Sequence, residues 1–107
     1  MDEIAKLPPH NLEAETSLLA SMMLSREAIE KATENVSSDD FYKAAHREIF
    51  SAILQLDQTG TPVDNVTLCE ALRQRDQLTQ VGGAAYLAQM LNSVPTAANA
   101  EYYAKIV

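Results

Sequence analysis

The stretch "YKAAHREIFSAILQLDQ", from Tyr42 to Gln58, is the longest helical pattern in this 107-residue chain. Its apolar positions recur every three or four residues and form two adjacent stripes, one with Tyr42, Ala45, Ile49, Ile53 and Leu56 and the other with His46, Phe50 and Leu54. A helix that is apolar over such a wide arc packs on several sides. We therefore expect this helix to lie at the centre of the fold.

Residues that cap helices mark the starts of the neighbouring elements. Asn11, Ser25 and Asp64 each stand directly before an amphipathic segment, where their side chains can accept hydrogen bonds from free backbone N–H groups. A fifth helix is predicted from Ala84 to about Ser93, and Thr96 is expected to cap a sixth. No stretch alternates strictly between apolar and polar residues, so no sheet is expected. The sequence predicts an all-α fold, a compact bundle of about six helices.

The chain divides into three parts on this interpretation. Residues 1–10 are polar with a Pro-Pro pair and are expected to form a flexible N-terminal arm. Residues 11–95 form the globular helical domain, and residues 96–107 begin the sixth helix. Within the globular part, the expected structural core is anchored by Phe41, Tyr42, Phe50, Ile53 and Tyr86, and Val66 is also expected to face inward.

The sixth helix carries two apolar ridges. Tyr102 and Ile106 form one ridge, and Tyr103 and Val107 form the next. One helix can bury both ridges only if it touches two surfaces. We expect one ridge to pack on the bundle, and we assign Tyr103 and Val107 to the outer ridge, as a protein-interface surface.

Composition narrows the classes of function. The net charge is −7, and a surface this negative repels phosphate backbones, so direct binding of nucleic acid is not expected. The single cysteine, Cys69, allows no disulfide within the chain and suits a reducing compartment. The sequence has no apolar run of about 18 residues and no signal peptide at its start. We therefore expect a cytoplasmic protein without a membrane partner.

The residues needed for catalysis are missing from the pattern. The glycines Gly60, Gly82 and Gly83 do not have the spacing of a phosphate-binding loop, and no Lys-Ser/Thr pair follows them. One cysteine and two histidines do not make a zinc site. Cys69 is interpreted as an inert buried thiol, and His46 as a partly buried, hydrogen-bonded histidine rather than a base. No catalytic, cofactor-binding or metal-binding residue is predicted, which leaves a helical interaction module.

Five motifs in register carry a family resemblance: "PPHNLEAETSLLASM", "DDFYKAAHREIFSAI", "PVDNVTLCEAL", "VGGAAYLAQML" and "SVPTAANAEYYAKIV". Together they resemble the N-terminal domain of the bacterial replicative DNA helicase, the DnaB family, over about Leu7 to Val107. The departures are small, since the family often has Pro where this chain has Ala44 and Ala where it has Cys69. These departures leave open whether the source is a cell chromosome, a phage or a plasmid.

The resemblance implies a function for the parent protein. It would be a hexameric ring, a trimer of dimers, that unwinds DNA in the 5' to 3' direction using ATP and Mg in a motor domain absent from this chain. The present domain would be a non-catalytic collar, with the sixth helix as the truncated first arm of a helical hairpin. Its partners would be other helicase subunits, primase and a helicase loader. The alternatives are a stand-alone helical DNA-binding regulator domain and a small helical enzyme.

Overall fold

The computed structural model describes residues 11–94 and 97–107, and these residues form six α-helices without any strand. The helices are α1 Leu12–Leu24, α2 Arg26–Asn35, α3 Ala44–Gln58, α4 Asn65–Gln74, α5 Gly83–Leu91 and α6 Ala100–Ile106, and a short 3₁₀ turn, Ser38–Asp40, precedes α3. The all-α bundle predicted from the sequence is confirmed. Within the described residues, no helix is long and apolar enough to cross a membrane.

The predicted caps of α1, α2 and α4 are confirmed. The backbone N–H of Ala14 donates to Asn11 Oδ1 over 2.9 Å, and that of Glu27 donates to Ser25 Oγ over 3.1 Å. At the start of α4, Thr67 N–H donates to Asp64 Oδ1 over 2.8 Å, and the Thr67 hydroxyl accepts from Asp64 N–H. Each cap satisfies backbone donors that have no partner inside the helix.

The sixth helix begins later than the sequence predicts. Thr96, the predicted cap, lies outside the described residues, as does the predicted arm at residues 1–10. The first helical residue of α6 is Ala100. Asn99 occupies the N-cap position, but its side chain makes no capping hydrogen bond. The division of the chain into three parts stays a prediction.

The helix at the centre of the bundle is α1, and the expectation that the longest helix would be central is wrong. Eight of the 13 residues of α1 are buried, including the six consecutive residues from Leu18 to Met23. Six consecutive residues sweep more than one full turn of about 3.6 residues, so α1 is covered on all sides. It packs against α2, α3, α5 and α6, whereas α3 packs mainly against α1, α4 and the 3₁₀ turn.

Phe41, Phe50 and Ile53 are fully buried, and the Phe41 and Phe50 rings lie 4.9 Å apart between centroids. Tyr42 does not belong to the core, since it is 52% exposed, and its assignment as a core residue is wrong. The reason is that α3 begins only at Ala44, so Phe41 and Tyr42 lie in the segment before it, with Phe41 extended. Successive side chains in extended backbone point to opposite sides, so burying Phe41 turns Tyr42 outward.

Two other assignments also change. Val66 was expected to face inward but is 75% exposed on α4, where Leu68, Cys69 and Leu72 form the buried face. Tyr86 is only half-buried and packs against the edge of the core.

We predict that Phe50→Ala lowers the free energy of unfolding by about 3–5 kcal/mol, because it removes a fully buried ring beside Phe41. Urea denaturation followed by circular dichroism measures this loss. Val66→Ala is the control and should change stability by less than about 0.5 kcal/mol, since that side chain is mostly exposed. Similar losses of unfolding free energy in the two variants would contradict the burial of Phe50 on the inward side of α3.

Candidate functional site

A buried carboxylate, Glu15 on α1, organises the start of α3. Glu15 is 1% exposed, and its Oε2 accepts a 2.7 Å hydrogen bond from the backbone N–H of Tyr42. Its Oε1 accepts a longer bond of 3.4 Å from Lys43 N–H. Lys43 occupies the N-cap position of α3 but offers no capping side chain. Glu15 therefore supplies from another helix the negative group that the N-terminus of α3 favours.

The same carboxylate holds His46 in the first turn of α3. Glu15 Oε1 lies 2.7 Å from His46 Nδ1, and Tyr86 Oη on α5 lies 2.8 Å from His46 Nε2. An ionised carboxylate only accepts, so Nδ1 carries the proton, and Nε2 of the neutral ring accepts from the Tyr86 hydroxyl. Glu15, His46 and Tyr86 form a polar network that joins α1, α3 and α5, and we call it the Glu–His–Tyr network.

Burial lowers the pKa of His46 below its ordinary 6.5, although the hydrogen bond and the charge of Glu15 oppose this shift. Lys43 acts in the same direction as burial, because a second positive charge nearby disfavours the imidazolium. The ammonium of Lys43 lies 3.4 Å from Tyr86 Oη and 4.8 Å from the centre of the Tyr86 ring. The network is thus covered at the surface by a cation, and its histidine is neutral at pH 7.

A carboxylate, an imidazole and a hydroxyl in a row also occur in hydrolases, but the imidazole of this network is buried. His46 is 1% exposed, and four surface grooves in the described part of the chain are lined by other residues and not by Glu15, His46 or Tyr86. A base must come within hydrogen-bond reach of the proton that it takes. The arrangement therefore supports a structural role. His46 is hydrogen-bonded, as the sequence predicts, but it is fully buried, and its partners are Glu15 and Tyr86.

The signal for this network in the sequence is weak. The position of Glu15 in the first turn of α1 predicts a favourable interaction with the helix dipole, but it does not predict burial. A signal does exist, because Glu15 lies one position after the buried Ala14 and three before the buried Leu18, on the apolar side of α1. Tyr86 is predicted to anchor the core. In the structure it lies half-buried at the edge of the core, where its hydroxyl is hydrogen-bonded to His46.

The predicted interface residues lie on the other side of α6 from the one expected. Tyr103 and Val107 are half-buried and pack against the core, whereas Tyr102 is 67% exposed and Ile106 is 42% exposed. The assignment of Tyr103 and Val107 to the outer ridge is therefore wrong. Ala100 and Ala104 are almost fully buried and bring α6 close to α1 and α2, which fixes the inward face and leaves Tyr102 and Ile106 outside. We call these two residues the outer ridge of α6.

No basic patch is free among the described residues. Each of their seven lysine and arginine side chains has a partner: Arg26 with Asp57, Lys31 and Lys105 with Glu101, Lys43 with Tyr86, Arg47 with the carbonyls of Phe41 and Tyr42, Arg73 with Glu70, and Arg75 with Glu48. Phosphate binding needs clustered Lys or Arg side chains that are free to neutralise the phosphate charges. Each cation of the described residues is therefore already engaged within the domain.

Metal and thiol chemistry find no support in the described part of the chain. It contains no group of three His, Cys, Asp or Glu residues that could hold a metal ion. Cys69 is nearly buried, and its thiol lies 3.7 Å from Asn65 Oδ1. Burial raises the pKa of the Cys69 thiol, which keeps it in the unreactive protonated form.

We predict that Glu15→Gln destabilises the domain by about 1–3 kcal/mol, because the amide turns a donor toward groups that need an acceptor in a buried site. Glu13→Gln is the matched control, since Glu13 lies in the same first turn of α1 but is exposed. Urea denaturation of the two variants gives the comparison. Equal losses would show that the carboxylate acts only through the dipole of α1.

A family described as the DnaB-like helicase N terminal domain matches residues 7–107. The chain is 49% identical over 102 residues to the replicative DNA helicase DnaC of Bacillus subtilis, and 47% identical over 102 residues to the replicative DNA helicase DnaB of Treponema pallidum. These alignments cover 95% of this chain but only 22% and 23% of the two relatives. The chain therefore spans less than a quarter of the length of these relatives.

A solved structure gives the same result at the level of the fold. The crystal structure of the N-terminal domain of DnaB helicase from Mycobacterium tuberculosis superposes with a TM-score of 0.91 at 46% sequence identity. The match covers 94% of this chain and 69% of that one. It extends over nearly all of the helices described above.

Proposed function

The chain belongs to the DnaB-like helicase N-terminal domain family, and on this premise we propose that it acts as the non-catalytic collar of a hexameric replicative helicase. The observation that carries the proposal is the family match over residues 7–107, almost the entire chain. In this proposal the collar holds neighbouring subunits together and docks primase. A helicase loader is a further proposed partner, and the protein acts in the cytoplasm.

Catalysis is assigned to the part of the parent protein that lies outside this chain. The parent would unwind duplex DNA in the 5' to 3' direction, with ATP and Mg bound in a separate motor domain. Two features of the collar support this division of labour. The chain has no glycine-rich phosphate loop, and its buried histidine is closed off from solvent by Glu15, Tyr86 and Lys43.

The outer ridge of α6 is the proposed surface for contact with another subunit. Tyr102 and Ile106 are one helical turn apart, so their side chains are neighbours on the same face. Exposed aromatic side chains of this kind are enriched at protein–protein interfaces, where they provide a large contact area. The opposite face of α6 is fixed on the bundle through Ala100 and Ala104, which gives the ridge a firm base.

The alternative of a DNA-binding regulator is less well supported. Its recognition helix would be α4, and only the C-terminal end of that helix is basic. Arg73 there is paired with Glu70, and Arg75 lies 3.4 Å from Glu48 on α3. Both guanidinium groups would have to leave a carboxylate before they could bind a phosphate. The net charge of −7 opposes such binding further.

We predict that this chain is a monomer or only a weak dimer and that Tyr102→Ala weakens its self-association at least about fivefold, because truncating an interface tyrosine typically costs more than 1 kcal/mol. Sedimentation velocity over a concentration series measures the change. Val66→Ala is the control, since Val66 is also an exposed apolar residue but lies on α4. A dimer that Tyr102→Ala leaves unchanged, or a dimer weakened equally by both substitutions, contradicts the assignment of the ridge.

We also predict that the chain binds the C-terminal helicase-binding domain of the cognate primase but not single-stranded DNA. Fluorescence anisotropy at about 0.15 M salt with a labelled oligothymidine should show no sub-micromolar affinity, because the cations are paired. Titration calorimetry with the primase domain should show saturable binding. Tight, steeply salt-dependent DNA binding without primase binding would favour the regulator alternative.

A further inference from the structure

The Glu–His–Tyr network contains one ring whose two nitrogens face groups of opposite character. Nδ1 of His46 faces Glu15 of α1, a carboxylate that accepts from it at 2.7 Å. Nε2 faces the hydroxyl of Tyr86 on α5, which donates to the neutral ring at 2.8 Å. Lys43, from the segment before α3, approaches the same hydroxyl oxygen with its ammonium group at 3.4 Å. Charged and titratable groups thus reach His46 from α1, from α5 and from the start of its own helix.

A proton added to His46 would act differently on its two hydrogen bonds. The bond to Glu15 becomes charge-assisted and therefore stronger. At the other nitrogen, Nε2 changes from an acceptor to a donor, so the Tyr86 hydroxyl can no longer donate to it. The Tyr86 oxygen would then have to accept from two cationic donors, the imidazolium and Lys43, whose charges repel each other, while its own hydroxyl hydrogen would need a new acceptor.

We propose that His46 is an acid-sensitive latch for α5, in which protonation keeps the imidazole on Glu15 and releases Tyr86, so that the first turns of α5 open while α1 and α3 stay together.

The start of α5 is built in a way that permits a local opening. The helix has only nine residues, and both its N-cap, Gly82, and its first residue, Gly83, are glycines with positive φ, +113° and +77°. Tyr86 packs directly on Gly82, since a Cβ placed there would lie 2.8 Å from the Cβ of Tyr86. Leu87 and Met90 bury the rest of the helix in the core. Loss of the Tyr86 hydrogen bond therefore loosens the first turns without removing the apolar contacts that hold the helix.

The direction of the pH dependence follows from the folded state. Burial lowers the pKa of His46 below 6.5, against the opposing effect of Glu15. For a group with a lowered folded-state pKa, the unfolded or opened state binds more protons. The contribution of the latch to the stability of α5 is therefore complete above about pH 6.5, the ordinary pKa of histidine. It is lost as the pH falls through the folded-state pKa of His46.

The first test uses the 107-residue chain with ¹⁵N-labelled histidine. At pH 7.5, the imidazole ¹⁵N shifts of His46 should show the neutral tautomer with the proton on Nδ1. Amide hydrogen exchange should then be compared at pH 7.5 and pH 5.5 as protection factors, which remove the intrinsic effect of pH on exchange. The amides of Leu87 and Met90 should lose about threefold to tenfold more protection than those of Phe50 and Ile53, the factor that corresponds to one hydrogen bond.

Two variants identify the groups responsible. His46→Gln removes the titrating ring, and Tyr86→Phe keeps the ring but removes the hydroxyl, so neither should show the additional pH-dependent loss in α5. The proposal is overturned if His46 carries its proton on Nε2 at pH 7.5, if protection in α5 is unchanged at pH 5.5, or if it falls equally in α3. It is also overturned if the loss persists in His46→Gln. If that variant does not fold, the tautomer and the exchange pattern of the unsubstituted chain still decide.

Discussion

The arrangement of the helices depends on a single buried carboxylate. Glu15 sits on α1, which is surrounded by four other helices, and a buried charge is costly unless its oxygens are hydrogen-bonded. Its partners are the backbone of Tyr42 and Lys43 and the imidazole of His46. To satisfy this one group, the chain must bring the start of α3 against the first turn of α1. Arg47 supports the same segment by donating to the carbonyls of Phe41 and Tyr42.

The constraint at Glu15 explains how the aromatic residues are distributed. With the backbone of Tyr42 fixed on Glu15, the Phe41 side chain enters the core and packs at a tilt against Phe50, and the Tyr42 side chain turns outward. His46 lies in the first turn of α3 and reaches Tyr86 on α5. The hydrogen bonds of Glu15 and the contact between Phe41 and Phe50 are therefore satisfied by the same position of α3. Hydrogen bonds are stronger in the low-dielectric interior than in water. A buried polar network in which every group has a partner therefore favours one packing arrangement over others.

The surface divides in a way that suits contacts between proteins. The inward face of α6 is set by two alanines, and its outward face presents a tyrosine and an isoleucine that the bundle does not cover. Elsewhere the positive side chains of the described residues are engaged by carboxylates, carbonyls or an aromatic ring. Such a surface has apolar area available for a protein partner and few cations available for phosphates. This is the chemistry expected of a collar domain, as proposed above.

The sequence by itself determined the features that depend on local order along the chain. Asn11, Ser25 and Asp64 cap helices within three residues of themselves, so their roles could be predicted from position alone. The all-α class followed from the spacing of apolar residues, and the family followed from five motifs in register. The burial of Phe50 and Ile53 agrees with the same spacing because both lie on the apolar side of α3.

Only the tertiary structure decided the features that depend on contacts between distant residues. Glu15 and Tyr42 are 27 residues apart, and nothing in the local pattern of either one indicates that they bond. Periodicity showed two apolar ridges on α6 but could not show which one the bundle would cover, since that depends on the close approach that Ala100 and Ala104 allow. The central position of α1 was decided in the same way. A periodic pattern describes how apolar side chains are arranged around one helix, whereas the number of neighbours that cover it is set by the packing of all six.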